Sequence, residues 1–249
     1  MKAINIKLRC HQMTLPMGYN HLLHGLIYKM FSLDKDFSEF LHDEGVEMFG
    51  RTFRPFMFSR LRQLDSNSIY NKEDKSITYN GLVEFEIRSV EDYSIDVICA
   101  YLEQNQVVQI GWHMAEVVGY TVMQKRHFGN AHYIRMITPI TVHVTSGDGQ
   151  CYFYKPDSEE FYNRIVSNAQ KKFYAIAEKE GEFLIYPEKV KEQDRNVTSF
   201  RSARIEGYKG IYRIEGDLDI IDFLYYAGLG ERNSQGFGMF EFDDARKIR

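Results

Sequence analysis

His21, His24 and Tyr28 fall within about 60° of one another on one side of an expected helix, at about 100° per residue, which makes a polar, titratable face. Fourteen residues beyond Tyr28 comes His42, in EFLHDEG, where an imidazole serves either proton transfer or a helix C-cap. Arg51, Arg54, Arg60 and Arg62 follow with no acid between Met48 and Leu64; Lys125, Arg126 and Arg135 lie in a second stretch free of carboxylates. The clustered titratable face points toward a site, and an unopposed basic patch can attract phosphates even on an acidic protein, although a solvated basic face is the commoner explanation of any one such run. Near the chain end, AGLGERNSQGFGMFEF places Gly228, Gly230, Gly236 and Gly238 within eleven residues.

That glycine segment is not a dinucleotide fingerprint. It follows an expected helix, its third glycine position is Asn233, and no helix has room to follow. It contains no G-K-[ST], so it is not a P-loop. A loop able to turn backbone N–H groups toward an anion remains, with Arg232 as a charged fork. Gln235 to Phe242 also resembles the RNA-recognition submotif K/R-G-F/Y-G/A-F-V-x-F/Y, with glutamine replacing the first basic residue. In that motif glycines clear a surface on which bases meet aromatics such as Phe237.

The elements that must carry these residues follow from periodicity. Ile4, Ile6 and Leu8 alternate as a strand, broken at Pro16 to Gly18; Leu22, Leu23, Leu26, Ile27, Met30 and Phe31 make the buried stripe of a first helix. A short helix is expected over 35–42. FRPFMFSRL, KSITYN and LVEFEIRSV read as strands, SVEDYSIDVICAYLEQ as a helix, and QVVQIGWHMAEVVGYTVMQ as extended chain broken at Gly111. From about Ala131 the order restarts: HYIRMITPITVHV as a strand, a long helix from Asp157 or Ser158 stopped at Gly181, three strand candidates, the helix GDLDIIDFLYYAG capped at Gly228, and a last strand. Each half reads β-α-β-β-α-β. The fold class is therefore α+β, two tandem ferredoxin-like (RRM-like) domains, 1–130 and 131–249.

Composition bounds the rest. The chain has 249 residues, 44% of them hydrophobic, and a formal net charge of -4, which by itself does not suggest a nucleic-acid binder. Its apolar runs fall short of the roughly 18 residues of a membrane span, and its N-terminus lacks a signal-peptide core. A cytoplasmic protein without membrane contact is expected. Cys10, Cys99 and Cys151 form no CxxC pair and read as buried or half-buried thiols, with no metal site.

PMGYNHLLHGLIYKMF, FLHDEG, FRPFMFSRL, MITPITV and AGLGERNSQGFGMFEF together resemble the Cas-six family of CRISPR RNA-processing endoribonucleases, over nearly the whole chain. The resemblance implies two ferredoxin-like domains and cleavage of precursor CRISPR RNA within its repeats without metal or cofactor. It implies a 2′,3′-cyclic phosphate (or 3′-phosphate) and a 5′-hydroxyl as product ends. Precursor and product crRNA are the implied partners, together with interference-complex subunits and a second copy in a homodimer. By its motifs the catalytic set falls on Tyr28, His42 and Arg54, where the family's lysine position holds an arginine. Arginine stays charged and stabilises an anion without shuttling a proton. Arg51, His21 and His24 are the alternatives, and Gly228, Gly230, Arg232, Asn233, Gly236, Phe237 and Gly238 are the implied RNA-binding set. A non-catalytic RNA-binding subunit of a CRISPR effector complex is the alternative reading of the whole.

Overall fold

A computed structural model describes residues 1–41, 45–48, 50–65, 68–124, 129–201 and 203–246, with the backbone alone at Met48 and Arg51. His42, the Arg51 side chain, Lys125 and Arg126 therefore lie outside the described residues.

The chain opens with β1 (Lys2–Pro16), α1 (Asn20–Phe31) and α2 (Lys35–Glu39), and then the short strands β2 (Val46–Met48), β3 (Arg51–Phe53), β4 (Phe56–Phe58), β5 (Arg62–Gln63) and β6 (Ile69–Asn71). The long strand β7 (Ser76–Ser89), α3 (Asp92–Gln104), β8 (Val107–Ile110) and β9 (His113–Met123) complete this part. The sheet order β4-β7-β1-β9-β8 contains the ferredoxin-like order, with β8 added at one edge and β5 and β6 also pairing with β7. From residue 131 the chain runs β10 (Ala131–Met136), β11 (His143–Thr145), β12 (Cys151–Phe153), α4 (Glu159–Ala177), β13 (Phe183–Lys189), β14 (Arg195–Phe200), β15 (Ala203–Tyr208), β16 (Ile211–Gly216), α5 (Leu218–Ala227) and β17 (Phe240–Phe242). Its main sheet, β13-β16-β10-β17, has the same topology again, and every pairing in both main sheets is antiparallel. The fold is thus α+β with tandem ferredoxin-like units.

Two cores result. One gathers Ile4, Ile6, Leu23, Ile27, Phe85 and Ile98; the other gathers Ile134, Phe161, Phe173, Ile214, Ile221 and Leu224. The stripe of α1 faces the first, leaving His21, His24 and Tyr28 half-buried on its other side. Among the described residues no helix is long and apolar enough to cross a membrane.

Several sequence expectations are corrected. KSITYN and LVEFEIRSV are one strand, because Gly81, at φ 92°, lies opposite Cys10 where β1 bulges and the pairing resumes beyond it. HYIRMITPITVHV divides between β10 and β11, which belong to different sheets. The long helix ends at Ala177, where Glu178 turns left-handed, four residues before Gly181. The three strands expected before α5 are four, because β14 and β15 form a hairpin of their own. Cys151 is exposed rather than buried.

One side chain bolts the two sheets together. Arg88 of β7, fully buried, donates from Nη1 to the carbonyls of Tyr225 (3.2 Å) and Phe240 (2.7 Å) and from Nε to Glu86 (2.6 Å). It also pairs with Glu241, and its guanidinium lies 3.8 Å from the Tyr225 ring centroid. Arg88→Met is expected to cost about 3 kcal/mol, since orphaning buried partners costs about 3–5 kcal/mol and both carboxylates here keep some solvent. A fall in the urea midpoint at unchanged slope measures it.

Candidate active site

Tyr28 sits on the outer side of α1, its hydroxyl donating to the carbonyl of Leu41 at 3.3 Å. Arg54, just past β3, donates from Nε to that same carbonyl at 2.9 Å and also meets the Tyr28 hydroxyl. The structure therefore brings two of the three expected catalytic residues together, on the carbonyl of the residue that precedes His42 in sequence. A π-helical turn at Phe40 and Leu41, closed by Gly45 N–H on Phe40 C=O at 2.6 Å, carries the chain there. Burial raises the Tyr28 pKa, with Arg54 opposing the rise, so near neutrality the phenol keeps its proton.

The alternative histidines part company. His24 lies 4.5 Å from Tyr28, ring to ring, and is half-buried. His21 is held through Nδ1 on the carbonyl of Gly18 at 2.9 Å. Phe200, at the end of β14, meets His24 at 5.3 Å and His21 at 6.4 Å, so the β14-β15 hairpin of the second unit rests on the first helix.

The glycine loop differs from its reading as a row of N–H donors. The N–H groups of Gly228, Gly236 and Gly238 donate to the carbonyls of Leu224, Asn233 and Pro139. Asn233 points inward, giving Nδ2 to the carbonyls of Leu229 (3.0 Å) and Phe237 (3.1 Å). Phe237 is buried, so its ring is no stacking platform, and β17 is an edge strand whose Phe240 fills the core. Close packing is what these glycines serve. At Gly236, φ 85°, a Cβ would stand 2.7 Å from Asn20 Nδ2 and 2.9 Å from the Phe58 ring, while Asn20 Nδ2 donates to the carbonyls of Gln235 (3.0 Å) and Gly236 (3.3 Å). At Gly238 a Cβ would meet the Leu229 carbonyl at 2.0 Å. Of the expected RNA contacts, Gly230, Arg232 and Asn233 line a cleft.

Arg232 and Arg54 line one cleft of about 210 Å³ between the units, with His143, Lys172, Asn233 and Ser234 among its walls. Arg232 Nη2 lies 3.3 Å from His143 Nε2, and His143 Nδ1 abuts the Glu231 carboxylate, which also accepts from the His143 N–H at 2.9 Å. Sequence reasoning missed His143, Lys172 and Phe200. A charged residue on the apolar row of α4 was the available sign for Lys172; nothing local marks the other two. Among the arginines of the first basic run, Arg60 is spent on the Met17 carbonyl (2.7 Å) and the Tyr19 ring, and Arg62 on Glu84; Arg135 pairs with Asp243.

Residues 123–242 match the model of the family described as CRISPR associated protein Cas6, C-terminal. Those residues carry a Cas6 C-terminal domain. A curated relative, CRISPR-associated endoribonuclease Cas6 1 of Methanocaldococcus jannaschii, is 23% identical over 244 residues, covering 95% of this chain and 91% of its own. A solved structure described as a characterization of a Cas6-related gene from Pyrococcus furiosus superposes with a TM-score of 0.82 at 20% identity, over 98% of this chain and 99% of that one. Another, described as a RAMP protein binding different RNA substrates, gives the same TM-score and identity over 98% and 100%. At these identities the structural likeness is one of Cas6 fold.

Proposed function

We propose that the chain is a metal-independent endoribonuclease that cuts precursor CRISPR RNA within its repeats, with the catalytic groups in the unit spanning 1–130 and the RNA-gripping loop in the unit spanning 131–249. The observation that carries this reading is the meeting of Tyr28 and Arg54 on the Leu41 carbonyl, at the edge of a cleft whose far wall is the glycine loop.

RNA brings its own nucleophile, so the side chains need only align the 2′-hydroxyl, accept its proton, neutralise the phosphorane and protonate the departing 5′-oxygen. His42 moves the protons. Tyr28, protonated, orients the 2′-hydroxyl, and Arg54 pairs with the non-bridging oxygens, a task suited to a fixed fork. The P–O5′ bond breaks as the O2′–P bond forms, leaving a 2′,3′-cyclic phosphate and a 5′-hydroxyl. Arg232 holds a phosphate of the repeat across the cleft. The relative's printed name, an endoribonuclease, supports the class of reaction. The product crRNA and the interference-complex subunits that receive it are the proposed partners.

End-labelled repeat RNA incubated in EDTA tests the proposal. The expected products carry a 5′-hydroxyl and a cyclic phosphate that acid opens. Cutting that requires added divalent metal and leaves a 5′-phosphate would overturn the mechanism, and binding without any cutting would favour a non-catalytic RNA-binding subunit.

A further inference from the structure

The inward row of α4 reads Phe161, Ile165, Ala169, Lys172 and Phe173, and the lysine is as buried as its neighbours, 1% exposed. An ammonium survives there only if its three donors are filled. They are: Nζ donates to the carbonyl of Gly228 at 2.5 Å, to that of Gly230 at 3.2 Å and to Oδ1 of Asn233 at 3.0 Å. The other end of that carboxamide takes the carbonyls of Leu229 and Phe237. Two side chains thus draw four loop carbonyls inward. Because a trans peptide is planar, each captured carbonyl also fixes the direction of the next N–H. Those of Leu229 and Glu231 accordingly meet the carbonyls of Gly238 and Thr141, each at 2.9 Å. The chain leaves this knot at Arg232 in a left-handed conformation, φ 60°, which a non-glycine residue keeps only where its surroundings impose it. Its guanidinium is then aimed across the cleft, steadied by Gln235 Oε1 at 3.4 Å and His143.

We propose that Lys172 is a positioning residue for RNA binding: its buried ammonium gathers the carbonyls of Gly228 and Gly230 and the Asn233 carboxamide onto one point, and so sets the shape of the glycine loop and the aim of Arg232. This rests on the reading above that the loop grips RNA. Around the ammonium, Glu231 of the loop supplies the opposing charge and Phe53 of β3 lays its ring 5.7 Å away; Arg54, Arg232 and His143 share the cleft. Burial pushes the Lys172 pKa down to about 7, against the pull of Glu231. A neutral amine keeps two donors and presents a lone pair to the oxygens around it, so one carbonyl is released as pH rises through that value.

The test is the affinity for a repeat RNA blocked against cutting, measured from about pH 6 to about pH 9. The unaltered protein is expected to weaken about tenfold as pH rises, centred near 7. Lys172→Met is expected to bind about tenfold more weakly at the acid end and to lose the step, while the single-turnover rate at saturating RNA stays within about threefold. Lys172→Arg, charged throughout, is expected to lose the step as well. A Lys172→Met protein that melts as the parent does and keeps its affinity and pH step overturns the inference. Should that variant not fold, a parental pH step in Lys172→Arg overturns it instead, as does a flat profile in the parent. Arg232→Ala separates the two levels: if it too leaves affinity untouched, the loop does not hold RNA and the underlying reading fails. If Arg232→Ala weakens binding and Lys172→Met does not, only the role of Lys172 is lost.

Discussion

A repeat RNA whose ribose on the 5′ side of the cut lacks its 2′-hydroxyl is expected to bind as the unmodified RNA does and to stay whole. The intramolecular attack it removes is worth an effective concentration of about 10⁵–10⁸ M in well-oriented systems, and no positioned water replaces that advantage. In the proposed mechanism Arg54 and Arg232, which line the cleft, pair with phosphate oxygens, which the modification leaves in place, so affinity is expected to hold while the rate falls below detection. Binding and cleavage are read on the same labelled strand, by retention on a filter and by gel. Cutting of the deoxy strand at anything near the parental rate would mean an external nucleophile.

Replacing His42 with alanine is expected to slow single-turnover cleavage about 10²- to 10⁴-fold with affinity unchanged. The size follows from what its neighbours cannot do. Tyr28, its pKa raised by burial, enters the reaction already protonated and cannot take up the 2′-hydroxyl proton. A guanidinium stabilises an anion without shuttling a proton. A histidine does both. The rival is His24, 4.5 Å from the Tyr28 ring, so His24→Ala belongs beside it. A loss below about tenfold for His42→Ala, with a larger one for His24→Ala, would transfer the proton role to the first helix.

The elements with strong periodicity were legible in the sequence: the stripe of α1, the alternation of β1, and the strand-helix order that yields both ferredoxin-like units. Of the candidate site, the pairing of Tyr28 with Arg54 was legible through motif resemblance, since twenty-five intervening residues give no local signal that the two meet. The close packing that the glycines allow was not legible. Local sequence shows that a backbone may turn; it does not show that Asn20 and Phe58, more than 170 residues upstream, come close enough to Gly236 to exclude a methyl group. His143 and Lys172 escaped notice for the same reason, because their partners in the loop lie about 56 to 89 residues away along the chain.

The joint between the units is fastened largely to main-chain atoms. Arg88 ends on the oxygens of Tyr225 and Phe240, and Asn20 on those of Gln235 and Gly236. A peptide oxygen is the one docking point that no point mutation deletes. Drift can therefore rewrite most side chains on the receiving side while the two halves stay aligned, so long as the reaching arginine and asparagine persist and position 236 stays bare.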